Sequence, residues 1–276
     1  VTLPPGAREA RRVGGGNINE AFRVVLADGR EAFVKTRGDA VPGEFAAEAA
    51  GLEWLAEPGA LRVPRVLDLG ERYLALEWVE PGRLGAQGEE QLGRGLAALH
   101  GAGAPGFGSF AGEEQTWLGS LRLPNAPAPD WPSFYAERRL LPLTRTAHER
   151  GALSEAGAQA VERVCERIGE LGGPAEPPAR LHGDLWSGNV LADAEGHPWL
   201  IDPSAYGGHR EVDLAMLALF GSPARTIAAY EEPAPLAEGW QERVGLYQLL
   251  PLLVHAALFG GSYVQAAERM ARRYAG

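Results

Sequence analysis

In RLHGDLWSGNVL, residues 180–191, Asp184 and Asn189 are separated by four residues and set among apolar neighbours. A core strand would not be written this way, because a buried Asp or Asn needs a partner. A third candidate, Asp202, ends the short apolar run in HPWLIDPSAYGG. Asp193 to Gly196 reads as a turn between two short strands, and their pairing would bring Asn189 close to Asp202. An Asn oxygen and a carboxylate are hard ligands, suited to a Mg²⁺ ion that also carries phosphate oxygens. Asp184, on the preceding loop, could then accept the proton of a hydroxyl nucleophile. Singly, each of these residues could serve only a turn or a helix cap. Their joint spacing favours chemistry.

The N-terminal third offers what a nucleotide would need. Gly14, Gly15 and Gly16 lie just before a strand, where glycine lets backbone approach phosphate closely. A glycine triplet alone is also an ordinary flexible turn. Lys35 ends the strand AFVKT between apolar neighbours, where its long stem could simply carry the charge to solvent. Glu48, on the next helix, gives it an ion-pair partner. A lysine held by a glutamate and reaching the α/β-phosphates is the kinase arrangement. LALEWV followed by EPG would then be a hinge spanning Glu77, Trp78 and Val79, with backbone groups of Glu77 and Val79 bonding an adenine edge. The order along the chain is Gly-rich turn, Lys, Glu, hinge, Asp-x4-Asn and Asp. It is the protein-kinase-like order.

Two kinds of element must position these residues. Residues 1–80 carry most of the strand signal, with EAFRVV and EAFVKT joined at Asp28-Gly29, then VLDLG and YLALEWV. The reading is five short strands, these four among them, with one helix in PGEFAAEAAGLEWLAE, a small antiparallel sheet forming a nucleotide-binding lobe. Residues 81–276 read as a larger, mainly helical lobe for catalysis and substrate. Helical spacing runs through EEQLGRGLAALHGA, WPSFYAERRLLPLTRTAHERG, EAGAQAVERVCERIGEL and WQERVGLYQLLPLLVHAALFG. The Gly/Pro-rich stretch 101–130 has no clear period and reads as a disordered loop or a substrate-shaping insertion. The expected class is α+β, one bilobal protein-kinase-like domain.

Composition narrows the partners. With 45% apolar and 22% charged residues the 276-residue chain reads as globular rather than disordered. The net charge of −10 argues against the basic surface that nucleic-acid binding needs. No apolar run is long enough to suggest a membrane span, and VTLPPGAREARRV has no apolar core of a secretory signal. The single cysteine, Cys165, excludes a disulfide within the chain and a Cys-rich zinc site, and fits packing on a helix. A reducing, cytoplasmic setting is expected. The sequence leaves the oligomeric state unknown.

HGDLWSGNVL and LIDPSAYGGHREVDLAMLALFG resemble the fructosamine/ketosamine 3-kinase family, within the aminoglycoside phosphotransferase-like kinases. GGGNINEAFRV and EFAAEAAGLEWL match as well, and WLGSLRLPN and WPSFYAERRL match more loosely. The family-specific features are Trp186, Pro203 and the REVDLAM run. The resemblance implies ATP-dependent phosphorylation of a ketosamine, free or as a glycated protein amine, at its 3-hydroxyl, with Mg²⁺. It makes Asp184 the base, gives Asn189 and Asp202 the metal, pairs Lys35 with Glu48, faces Trp186 to the sugar-amine and gives Asp213 a supporting role under the catalytic loop. Three departures stand out. Leu123 occupies a position where the family often has Gln, the glycine-rich segment lacks the cysteine some members carry, and His209 precedes Arg210 where Asp is common, which would alter charge near the site. The alternatives are another small-molecule kinase, acting on an aminoglycoside, choline or a sugar, and a non-catalytic nucleotide-binding protein.

Overall fold

A computed structural model describes residues 1–14, 19–221 and 223–276. Five strands, β1 (Arg8–Val13), β2 (Glu20–Val25), β3 (Glu31–Thr36), β4 (Val66–Gly70) and β5 (Tyr73–Glu77), form an antiparallel sheet in the order β1-β2-β3-β5-β4. Asp28-Gly29 makes the expected tight turn. Gly29 takes φ 88° and the Asp28 carboxylate accepts the Arg30 amide at 3.0 Å. Side chains alternate between faces along a strand. Val24, Leu26, Ala32, Val34, Tyr73 and Ala75 therefore build a core on one face, while Ala21 and its cross-strand partner Lys35 lie on the other.

Helix α1 (Glu44–Ala56) covers that second face. Its Phe45, Leu52 and Leu55 share a cluster with Leu74 and Leu76 of β5, with Leu92, Leu96 and Leu99 of α2 (Ala86–Gly101), and with Leu185, Leu200 and Leu214. One core thus runs from the sheet into the helical region. Each buried Leu contributes roughly 1.5–3 kcal/mol. Gly51 brings α1 against residues 203–205. A Cβ there would sit 3.3 Å from Ala205 Cβ and 3.5 Å from Pro203 Cγ. The helix that carries Glu48 is therefore seated on the segment that follows Asp202.

The stretch 101–130 is not a featureless loop. It contains a hairpin, β6 (Gln115–Leu118) with β7 (Leu121–Pro124), whose Leu118, Leu121 and Leu123 are buried. Leu123 is thus a core residue of this hairpin. Arg139, fully buried, ties the hairpin down by donating to the Pro124 carbonyl at 2.7 Å and to Asn125 Oδ1 at 2.8 Å. The predicted helix over 131–151 is α3 (Trp131–Tyr135) and α4 (Leu141–Glu149), joined by one π-helical turn over 136–140. The predicted EAGAQAVERVCERIGEL helix breaks at Arg167 into α5 (Glu155–Glu166) and α6 (Ile168–Leu171). Cys165 is half-buried on α5, and burial, with Glu162 and Glu166 nearby, pushes its thiol up to about 12.

Four three-residue strands, β8 (Ala179–Leu181), β9 (Val190–Ala192), β10 (Pro198–Leu200) and β11 (Tyr206–Gly208), then carry the motif segments. Helices α7 (Glu211–Leu217), α8 (Ala224–Glu231), α9 (Trp240–Phe259) and α10 (Ser262–Ala275) complete the chain. Leu246, Leu249, Leu250 and Leu253 of α9 are the centre of the helical core. The architecture is the α+β, protein-kinase-like arrangement expected. Among the described residues, no helix is long and apolar enough to cross a membrane.

Candidate active site

Strands β9 and β10 pair across the Asp193–Gly196 turn, with Leu191 opposite Trp199 and Val190 opposite Leu200. Asp193 locks that turn. Its carboxylate accepts the amides of Glu195 and His197 at 3.1 and 2.8 Å and the Trp199 indole at 3.0 Å. As a result Asn189 and Asp202 stand side by side. Asn189 Nδ2 donates to the Asp184 carbonyl at 2.8 Å and to Asp184 Oδ2 at 3.1 Å, and reaches the Asp202 carbonyl at 3.5 Å. With its amide nitrogen so engaged, Asn189 keeps Oδ1 as an acceptor for a cation. Asp202 is held in the left-handed region at φ 54°, a conformation in which non-Gly residues are uncommon and which clusters at functional sites.

Lys35 completes the set. Its ammonium lies 2.9 Å from Asp202 Oδ1 and in contact with Glu48 Oε1. Burial works against its charge, but Asp202 and Glu48 outweigh it and hold the ammonium protonated. Burial pushes Glu48 up to about 7 against the pull of Lys35. Burial, then the charge of Asp202, pushes Asp184 up to about 7. Glu48, Asp184 and Asp202 thus set three carboxylates against one ammonium. That excess negative charge, with Asn189 Oδ1 and the half-exposed Asp202 carboxylate as hard oxygen donors, fits a divalent cation.

The loop bearing Asp184 is fixed from beneath. Asp213 on α7 is fully buried and accepts the amides of His182 and Gly183 at 2.7 and 2.9 Å. Burial alone would raise its pKa. His100, at 3.3 Å, and these amides reverse that and hold the carboxyl below its ordinary value. His100 in turn meets the Tyr230 hydroxyl at 2.9 Å. His182 bridges to the strand before Asp202, with Nε2 on the Ile201 carbonyl at 2.9 Å and Nδ1 accepting the Asp184 amide at 3.2 Å. Sequence reasoning missed His100 and the bridging role of His182. The partners of His100 lie more than a hundred residues away, although the HGD context of His182 was visible. Asp213→Asn is expected to cost about 3 kcal/mol in urea unfolding, since bonds to a charged group are each worth about 1.5–3 kcal/mol. A loss under about 1 kcal/mol would contradict that supporting role. The Asp213 pKa is depressed in the folded state. Its stabilisation is therefore present above the unfolded carboxyl value and is lost as pH falls through the folded one.

Two glycines of the motif have steric reasons. Gly183 takes φ 81°, and a Cβ there would lie 2.0 Å from the Ser204 carbonyl oxygen. A Cβ on Gly188 would lie 2.1 Å from the Trp186 ring, so Gly188 is what lets that indole fold across the loop. Trp186 is 38% exposed and edge-on to Phe220 at 5.9 Å, so it is not a core tryptophan.

At the hinge, the Glu77 amide already donates to the Arg65 carbonyl at 2.9 Å and its carboxylate pairs with Arg65. Among the described residues, no backbone hydrogen bond uses the Val79 N–H. The Trp78 indole donates to Glu80 at 2.9 Å under the Arg23 guanidinium, 4.3 Å from its ring centre. Gly15 and Gly16 lie outside the described residues. His209 is buried and stacked on Tyr247, and burial lowers its pKa. A cavity of about 650 Å³ lies elsewhere, between α1 and residues 102–111, lined by Trp54, Phe110 and Arg180.

Comparison with known proteins gives this geometry a family. A family model described as fructosamine kinase matches residues 4–275. A relative named probable ketoamine kinase, from Thermus thermophilus, is 42% identical over 92% of this chain and 90% of its own. A chloroplastic protein-ribulosamine 3-kinase of Arabidopsis thaliana is 35% identical over 92% of this chain and 79% of its own. A solved structure assigned as a fructosamine-3-kinase of Thermobifida fusca is 45% identical, with a TM-score of 0.89, over 98% of this chain and 93% of that one. The chain belongs to the fructosamine kinase family, and it is a phosphotransferase with an alcohol group as its acceptor.

Proposed function

We propose that this protein transfers a phosphoryl group from ATP to the 3-hydroxyl of a ketosamine, destabilising the adduct so that the free amine is recovered. The observation that carries this reading is the single contact set of Lys35, Asp202, Asn189 and Asp184 beside the exposed indole of Trp186. The names of the relatives supply the substrate class.

Each residue then has a physical task. Glu48 and Asp202 hold the Lys35 ammonium at the sheet face, where it can neutralise phosphate charge. Val79 offers its amide to the adenine edge. Asn189 Oδ1 and the Asp202 carboxylate would hold Mg²⁺, which when bound screens phosphate charge. Asp184, fixed through Asn189 and the loop amides on Asp213, orients the acceptor hydroxyl and takes its proton. Its raised pKa makes it a stronger base than an ordinary carboxylate. The Trp186 face suits the apolar side of the sugar and the amine cation.

A coupled assay of ADP release tests the reading, with ribulosamine, fructosamine, an aminoglycoside and choline as acceptors. Turnover is expected with the ketosamines, and turnover only with the other two would overturn it. Gly188→Ala is expected to raise KM for the ketosamine about tenfold by displacing the Trp186 ring, with KM for ATP little changed. Parallel changes in both constants would point instead to collapse of the whole loop.

A further inference from the structure

An apolar feature leads away from the catalytic loop. Trp186 is the first of five aromatic rings that touch in sequence. It meets Phe220 at 5.9 Å, Phe220 meets His255 at 5.4 Å, and His255 meets Phe259 at 5.6 Å and Tyr263 at 4.8 Å. These rings come from the catalytic loop, the segment after α7, the C-terminal end of α9 and the start of α10. Phe220 is 44% and Phe259 53% exposed, and with Trp186 they make three of the six exposed large apolar side chains described. Exposed apolar residues scattered singly need no explanation, but a contiguous strip that begins two residues from the candidate base does.

The chemistry of a ketosamine assigns its two ends to different surroundings. The sugar hydroxyls need hydrogen-bond partners, which the Asp184 and Asn189 loop supplies. The amine sits two carbons from the reacting hydroxyl, which puts it at Trp186 when that hydroxyl is at Asp184. Whatever the amine carries must then leave along the ring strip. His255 Nδ1 lies 2.7 Å from the Pro251 carbonyl and so donates its proton there, which fixes the ring in the wall. The contacts are edge-on or tilted, and such a wall of aromatic carbon suits a chain of methylenes and offers too few polar atoms for a polyol.

Resting on the ketosamine reading, we propose that Phe220, His255, Phe259 and Tyr263 form a subsite for the substituent of the substrate amine. Its occupant is an extended aliphatic chain, such as the methylenes of a glycated lysine side chain. The continuity of the wall with Trp186 makes it a specificity determinant for the acceptor.

Ribulose adducts of methylamine, n-hexylamine and Nα-acetyl-lysine test this in steady-state assays of the full chain. The wild-type kcat/KM for each long-chain adduct is expected to exceed that for the methylamine adduct by about tenfold or more, because partial burial of several methylenes is worth that factor. Phe220→Ala and Phe259→Ala should shrink the ratio toward unity, and Phe259→Tyr should keep it. Both phenylalanines are largely exposed, so the variants are expected to fold. A wild-type ratio within about twofold of unity, or a ratio untouched by either alanine variant, overturns the subsite while the ketosamine reading stands. No turnover of any adduct overturns both. If Phe259→Ala leaves the ratio alone and lowers the sedimenting mass, the wall belongs to a second copy of this chain, and the subsite is again overturned.

Discussion

Asp184→Ala is expected to lower kcat by about a thousandfold while leaving the affinity for ATP within about twofold. Positioned proton transfer alone contributes about 10²–10⁴ in rate, and the same carboxylate also fixes the acceptor hydroxyl. Nucleotide binding should survive because Asp184 touches neither Lys35 nor the hinge. Its described side-chain partner is Asn189, at 3.1 Å. Asp184→Asn separates the two tasks, since it keeps the shape and loses the proton acceptor. Turnover by the alanine variant, measured by ADP release, against nucleotide affinity, measured by calorimetry, reads the split. Near-normal turnover would sink the assignment of Asp184 as the base.

Lys35→Met is expected to lower kcat/KM for ATP by a similar factor, since one charged donor aimed at developing charge is worth about 10²–10³. It should also destabilise the fold by about 3–5 kcal/mol, because removing one member of a buried ion pair strands the other. Lys35 is 4% exposed, and Glu48 has no other ion-pair partner among the described residues. The stranded Glu48 has a folded pKa raised by burial above its unfolded value. Protonation therefore relieves part of the penalty, which is smaller at pH 6 than at pH 8. The double variant Lys35→Met, Glu48→Gln should recover most of the stability and none of the activity. Recovery of both would make the pair a structural bolt rather than a phosphate-positioning device.

Local features were the legible ones. Asp184 and Asn189 share one loop, and the Asp193–Gly196 turn brings in Asp202 by a simple hairpin, so spacing alone brought the three together. Asp28-Gly29 announced β2 and β3 through its turn chemistry. β1 was harder, because REARRV is an exposed edge strand with almost no apolar alternation. The β6–β7 hairpin hid for a different reason. Its strands have four residues each, and they sit in a Gly/Pro-rich stretch whose order depends on buried Arg139. Contacts at long sequence separation were invisible for want of any local signature. His100 meets Asp213 113 residues away, and the aromatic strip joins residues from four elements.

Regiochemistry tests phosphoryl transfer to the 3-hydroxyl most directly. The protein, ATP and Mg²⁺ would be incubated with a ribulosamine, and the product followed by ³¹P and ¹³C NMR. A single phosphate ester on carbon 3 of the ketosugar is expected, followed by breakdown of the adduct with release of the free amine. Esterification at another hydroxyl, or ATP binding with no transfer to any ketosamine, would contradict it.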